Sequence, residues 1–320
     1  MTSMALIGDI GGTNARFALI EPGQFDLKHI ETLPTADYAT LSDALRAYIE
    51  MVGCEMPSEA CLAFACPVHL DEVKMTNNNW KFSKSAVKEE FGFSLFKVIN
   101  DFTAQALGLP HIGVDDLHQV GDGGSAEGTA RLVMGPGTGL GVAGLVPTTR
   151  NWVPLATEGG HASFAATDEI EVKLLRWFQK RYGRVSVERV LCGQGLKDLY
   201  DAHAEFAGVT PTLETPADVT EAALDGNELA LESVNRFLAV LGHAAGDIAL
   251  TLGARGGVYL VGGILPRILD LIDRSEFRAA FIDKGRMGEL NAAIATWVVT
   301  AKWTGLLGSA EALYNEEVNP

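Results

Sequence analysis

Positive charge is scarce in this chain. Its 25 Lys and Arg residues face 41 Asp and Glu among 320 residues, a formal net charge of −16. Such a balance repels nucleic acid and anionic membrane surfaces, so neither is expected as a partner. Cysteine is scarce too. Cys54, Cys61, Cys66 and Cys192 show no paired metal-ligand spacing. Met1-Thr2-Ser3-Met4 runs straight into an apolar stretch, so no secretory segment is expected. A reduced, cytoplasmic setting follows, with most of the four as bland buried thiols. Gly-Lys-Ser/Thr occurs nowhere, which excludes a P-loop. There is no low-complexity segment. The long, mostly apolar stretch Asn227 to Gly253 carries Arg236, His243 and Asp247, too many polar residues for a membrane span.

Glycine, by contrast, is abundant and clustered. Leu6-Ile7 runs into Gly8-Asp9-Ile10-Gly11-Gly12-Thr13-Asn14, and Arg16-Phe17-Ala18-Leu19-Ile20 leaves it, so the glycines sit in the turn of a hairpin. Glycine permits positive φ and removes side chains that would hold a ligand away. Successive backbone N–H groups in such a turn form a nest for phosphate oxygens. Asp9 beside it is placed to hold a magnesium ion or its waters. An ordinary hairpin, whose glycines only satisfy turn geometry, would read the same way.

A second copy favours the nest. Gly137-Thr138-Gly139-Leu140-Gly141-Val142-Ala143-Gly144 follows the apolar Arg131-Leu132-Val133-Met134 and repeats Gly12–Ala18 at constant offset, Gly12 with Gly137 and Thr13 with Thr138. Two such units suggest two related halves facing one nucleotide. Gly139-x-Gly141-x-x-Gly144 matches a dinucleotide fingerprint in spacing, but it leads into a strand rather than a helix, so the Rossmann reading is set aside.

The chain is long enough for two domains with a sizeable core. The Gly-, Asp- and Ser-rich stretch 113–129 places the boundary near residue 111. Strands are predicted at 27–33, 60–66, 95–99, 256–263 and 292–299, and helices at 38–52, 83–91, 102–107, 168–182, 193–206, 218–224, 227–253 and 303–314. The strand at 95–99 delivers Asn100 and Asp101 where a helix opens, the place where α/β folds bind ligands. Asp101 is the candidate base for an attacking hydroxyl, unless it only caps that helix. Glu158-Gly159-Gly160-His161 lets a carboxylate and an imidazole fold toward one polar ligand, although a surface turn would look alike. Glu188 suits a helix N-terminus.

Taken together, Gly8–Asn14, Asn100-Asp101-Phe102, Gly135–Gly141, Glu158-Gly159-Gly160-His161, Glu188 and Gly256–Gly263 are ordered and spaced so that the chain resembles the bacterial glucokinases, within the superfamily of sugar kinases, actin and heat-shock chaperone ATPases. The resemblance implies an α/β fold of two RNase H-like (actin-like ATPase) domains, with the sugar in the interdomain cleft. It divides the chain into a small domain, 1–111 plus the C-terminal helix at about 300–320, and a large one, 112–299. It implies ATP-dependent phosphorylation of glucose to glucose 6-phosphate, with magnesium, by a homodimer. Asp101 becomes the catalytic base, and Asn100, Asp101, Glu158, His161 and Glu188 the glucose-binding set. Gly8, Asp9, Ile10, Gly11, Gly12, Thr13, Asn14, Gly137, Thr138, Gly139, Gly262 and Gly263 become the nucleotide-binding set, with Asp9 holding magnesium through water. Because the overall charge is negative, backbone donors and magnesium must overcome a repulsive field around the nucleotide. The repressor-like sugar kinases carry a Cys-x-Cys-Gly-x-x-Gly-Cys zinc segment, absent from this sequence. A kinase for another hexose or an N-acetylated hexosamine, or a non-catalytic nucleotide-gated sugar sensor, would use the same residues.

Overall fold

Six residues, Ala5–Ile10, form strand β1, and all of them other than Asp9 are buried. Such burial is typical of a strand flanked by neighbours and covered above and below. The computed structural model describes residues 4–319. It divides into two units: the chain up to Val114 with Leu145–Ala156 and everything from Ala301, and a second unit of Asp115–Gly144 with Thr157–Thr300.

The first unit carries β1, β2 (Asn14–Ile20), β3 (Lys28–Pro34), β4 (Glu59–Phe64), a small hairpin of β5 (Glu72–Lys74) and β6 (Lys81–Ser83), and β7 (Leu95–Asn100). The main sheet runs β3-β2-β1-β4-β7. The β1–β2 and β2–β3 pairs are antiparallel, whereas β4 lies parallel to both β1 and β7. Its core includes Leu6, Phe17, Tyr48, Leu62 and Phe64. Helix α1 (Leu41–Val52) starts later than the apolar period beginning at Tyr38, because Thr40 and Asp43 close a capping box. Helix α2 (Lys84–Phe91) is capped by Ser83 and ended by Gly92 in the left-handed region. Helix α3 (Asp101–Gly108) follows β7 directly.

The C-terminal helix, Thr304–Tyr314, belongs to this unit. Three small residues let it press close: a Cβ on Gly308 would overlap Ala104 O, one on Gly108 would overlap Thr304 O, and Ser309 donates to Gly8 O at 2.9 Å. Its far end is tied by Lys97, buried on β7, whose ammonium donates to Ala312 O and Asn315 O, both at 2.9 Å. A cation at a helix C-terminus is favourable. The Asn315 amide donates in turn to Trp152 O at 2.8 Å, inside the Leu145–Ala156 segment.

The second sheet runs β11-β10-β9-β12-β13-β8, with β8 (Leu117–Gln119), β9 (Arg131–Pro136), β10 (Leu140–Pro147), β11 (Trp152–Thr157), β12 (Val258–Leu260) and β13 (Thr296–Val299). Strand β12 is parallel to both β9 and β13. Each sheet therefore sets three consecutive strands side by side and then adds two parallel ones, a repeat of architecture matching the repeated Gly-Thr turn. Helices α4 (Glu169–Tyr182), α5 (Val187–Val190), α6 (Gly193–Ala207), α7 (Pro216–Leu224) and α8 (Glu228–Leu252) follow, with Phe178, Leu199, Phe237 and Leu241 in the core.

Two predicted strands are shorter than the sequence pattern suggested. Only Val258–Leu260 of 256–263 is extended, because Gly257 and Gly262 take φ of 112° and 99°. Residues up to Ala292 end a short helix, and Asn291 there donates to Phe281 O at 2.8 Å, so β13 begins at Thr296. The stretch 113–129, expected to lack periodic structure, contributes the edge strand β8. Among the described residues no helix is long and apolar enough to cross a membrane.

Candidate active site

In the first unit, Ile10 pairs with Phe64 and Phe64 with Asn100, so three parallel strands end level. That edge brings the first Gly-Thr turn to Asn100 and Asp101, the usual ligand edge of a parallel sheet. Gly11 N–H donates to Asn14 O at 2.9 Å, closing the turn. Thr35 fixes it from behind, its N–H on Thr13 O at 2.9 Å and its hydroxyl on Gly12 O at 2.7 Å. Thr13 is left exposed at the tip.

The glycines are there for closeness rather than handedness. None of Gly8, Gly11, Gly12, Gly137 and Gly139 takes positive φ, contrary to the sequence expectation. A Cβ on Gly12 would lie 2.8 Å from Asn77 Cβ, and one on Gly8 would lie 2.7 Å from Leu62 Cδ2. Gly8 is thus explained by packing of the sheet.

Asp9 sits opposite Arg16 in the β1–β2 register, their side chains 3.6 Å apart. Burial pushes its carboxyl above the ordinary range, and Arg16 opposes that only in part. The first turn of the C-terminal helix approaches from another side, at Gly305.

Asn100, not Asp101, caps α3. Its backbone is extended, and its Oδ1 accepts from Phe102 N at 2.9 Å and Thr103 N at 3.3 Å. The Asn100 amide donates to Cys66 O and to Asp101 Oδ1, at 3.4 and 2.9 Å. Phe102 N–H also donates to Asp101 Oδ1, at 3.0 Å, which leaves Oδ2 for other work. Burial first, and then the charge of Asp9, raise the Asp101 carboxyl to about 7. A carboxyl poised there accepts a proton near neutrality.

In the second unit the other Gly-Thr turn joins β9 to β10. Gly137 N–H donates to Gly139 O at 2.8 Å, and Thr138 is exposed at its tip, like Thr13. Gly193 N–H, opening α6, donates to Gly137 O at 2.8 Å. At the ends of the parallel β9 and β12, a Cβ on Gly262 would lie 2.7 Å from Pro136 O, so Gly262-Gly263 borders the same turn.

Beside it, Glu188 Oε2 accepts from Leu140 N at 2.9 Å and fills the space where a Cβ on Gly139 would stand. His161 bridges two carboxylates, with Nδ1 3.7 Å from Glu188 Oε1 and Nε2 3.9 Å from Glu158 Oε2. Glu158 and His161 are exposed and Glu188 is half-buried. Gly160 permits this, since a Cβ there would overlap Leu140 O. Acceptors and an imidazole gathered in this way suit a neutral ligand rich in hydroxyls.

Sequence reasoning missed Arg16, Thr35, Asn77 and Gly305. Counting back from the turn would have found Arg16 as the cross-strand partner of Asp9. The others reach the site from distant segments without a local signal.

The profile described as Glucokinase matches residues 6–316. The chain is 66% identical over 318 residues to a glucokinase of Chromohalobacter salexigens, covering 99% of this chain and 100% of that one. It superposes on the crystal structure of a glucokinase from an Antarctic psychrotroph with a TM-score of 0.89, at 38% identity, covering 99% and 100% of the two chains. A glucokinase of Balamuthia mandrillaris in complex with glucose shares the fold, with a TM-score of 0.80 at 20% identity over 97% of this chain and 93% of that one.

Proposed function

The chain belongs to the glucokinase family and phosphorylates glucose with ATP on an α/β fold of two actin-like domains, and from that premise we propose how its residues divide the reaction. Asp101 is the base. One of its oxygens is held by Asn100 and Phe102, the other is left for the sugar, and its carboxyl is poised at about 7. That arrangement carries the reading. Asp101 takes the proton of the attacking 6-hydroxyl while that oxygen bonds to the γ-phosphorus of ATP. The bond from phosphorus to the β–γ bridging oxygen breaks, and ADP leaves with its electron pair. The products are glucose 6-phosphate and ADP.

Asn100, Glu158, His161 and Glu188 hold the sugar hydroxyls. Gly8–Asn14, Gly137-Thr138-Gly139 and Gly262-Gly263 hold the nucleotide, the two Gly-Thr turns through backbone N–H groups. Magnesium fits Asp9: a hard carboxylate, partly buried, only partly compensated by Arg16, and close enough to raise Asp101. Among the described residues no three His, Cys, Asp or Glu side chains cluster as a metal cage, so Asp9 would hold the ion through water and nucleotide phosphates would supply the other oxygens. When bound, the ion neutralises charge developing on the phosphates.

The smaller domain comprises about residues 1–111 with the C-terminal helix, and the larger 112–299, in the pattern of the family resemblance. The same resemblance supports a homodimer. The formal charge of −16 supports a protein that avoids nucleic acid and anionic membranes, and four free cysteines support a cytoplasmic location.

A coupled assay with ATP and a panel of sugars tests the reading. An epimer leaves unpaired at least one acceptor or donor that the bound sugar covers, so glucose should exceed galactose and mannose in kcat/KM by about an order of magnitude or more. Equal values for the three hexoses would remove Glu158, His161 and Glu188 from the pocket.

A further inference from the structure

The C-terminal helix does more than cover the sheet. A Cβ on Gly305 would lie 2.7 Å from Asp9 Oδ2, 2.8 Å from Asp9 Cγ and 3.1 Å from Gln105 Nε2. No side chain fits between the helix and that carboxylate. Trp303 supplies no side-chain cap, so the first-turn N–H groups of Thr304–Tyr314 keep their partial positive charge. Thr304 is buried, and its hydroxyl oxygen has no hydrogen-bond partner. A carboxylate at that end is favoured by the helix dipole, which opposes the cost of burying it.

Nor can the helix retreat to admit a methyl group. Gly308 is pressed on Ala104, Thr304 on Gly108, Ser309 on Gly8 O, and Lys97 holds the last turn. Ala104, Gln105 and Gly108 belong to α3, the helix that begins with Asp101. One helix therefore leaves no room for a side chain beside Asp9 and packs on α3, which begins with Asp101.

We propose that Gly305 is a positioning residue for phosphoryl transfer: by presenting no side chain, it seats the Asp9 carboxylate against the first turn of the C-terminal helix, in the orientation that receives the metal–nucleotide complex. The proposal rests on the reading of Asp9 as the metal-facing carboxylate. It makes the C-terminal helix part of the active machinery.

Gly305→Ala tests it, with Leu313→Ala as a variant that disturbs the same helix at a buried position away from Asp9. The probe is Mn2+ with a non-hydrolysable ATP analogue, with free Mn2+ followed by electron paramagnetic resonance. Calorimetry with glucose alone and thermal melts run alongside. Gly305→Ala should lose about tenfold or more in metal–analogue affinity, the usual cost of disturbing a group that orients a ligand. Glucose affinity should stay as in the parent. Leu313→Ala should lower Tm and leave the metal–analogue affinity unchanged. Adding Gly305→Ala to Asp9→Ala should lower Tm less than adding it to the parent, because the overlapping carboxylate is gone.

If Gly305→Ala binds the metal–analogue like the parent while Asp9→Ala does not, Asp9 keeps its role and the proposal for Gly305 falls. If Asp9→Ala also binds like the parent, the reading of Asp9 falls and the proposal with it. Should Gly305→Ala fail to fold, the Asp9→Ala/Gly305→Ala pair decides: recovery of a folded protein supports the contact, and continued failure overturns it.

Discussion

Asp101 lies in the field of Asp9: burial, and then the negative charge of Asp9, lift its carboxyl to about 7. The base must be ionised to accept a proton. kcat/KM for glucose should therefore rise with pH and level off above about 7, a limb well above the ordinary carboxylate range. Asp9→Asn removes the like charge and should carry that limb to lower pH in whatever activity remains. A pH–rate profile with its limb below 5 in the parent would detach Asp101 from the role (roughly the ordinary carboxylate range).

The same shift has a consequence for stability. Asp101 keeps its proton in the folded state at pH values where the unfolded chain has lost it, so the folded state binds more protons between the ordinary value of 3.8 and about 7. Stability contributed through this group falls as pH rises across that window and is flat above it. Asp101→Asn abolishes the loss. Its Tm relative to the parent should be higher at alkaline pH than at acid pH. A difference in Tm independent of pH would show that Asp101 is not perturbed in the folded protein.

Much of this was legible because the signals are local. Apolar runs ending in Gly11-Gly12-Thr13 and Gly137-Thr138-Gly139 can hardly be anything but strand–turn–strand, and the structure places both turns there. Asn100-Asp101 was ambiguous because either side chain can cap a helix. The residue with extended backbone takes the cap, and that is Asn100, with ψ of 149°. The reason for the glycines was not legible. What Gly12 and Gly139 must avoid is a side chain from elsewhere, Asn77 in one case and Glu188 in the other. Gly305 against Asp9 spans almost the whole sequence, and nothing near either residue announces the other.

Gly160 offers a sharp test of the sugar-facing segment. A methyl group there would overlap Leu140 O, whose own N–H is held by Glu188. Relief requires moving the segment that carries Glu158 and His161, or the strand that holds Glu188. Gly160→Ala should therefore raise the KM for glucose by about tenfold or more, an effect of misplacement rather than of lost chemistry. Titration calorimetry showing parental glucose affinity would mean that these residues do not hold the sugar.

Lys97 tests the fastening of the C-terminal helix. Lys97→Met preserves the bulk of the stem but leaves the carbonyls of Ala312 and Asn315 without their donor. The expected cost is about 1–3 kcal/mol for a buried unsatisfied acceptor, lowered somewhat by water entering at the helix end. Chemical denaturation measures it directly. A variant as stable as the parent would show that the ammonium's burial offsets its two hydrogen bonds.

Asp101→Asn separates catalysis from binding. The amide keeps the shape of the carboxyl and can still accept from Phe102 N–H through its oxygen, so α3 should start as before, with Asn100 as its cap. Glucose should still bind, somewhat more weakly, because an amide donates where the carboxylate accepted. Proton removal is lost, and phosphoryl transfer should fall by about 10²–10⁴-fold, the usual contribution of a positioned general base. The loss must appear in kcat rather than in glucose Kd. Calorimetry beside a coupled assay gives both quantities on one preparation. Near-parental turnover would leave Asp101 as a pocket liner.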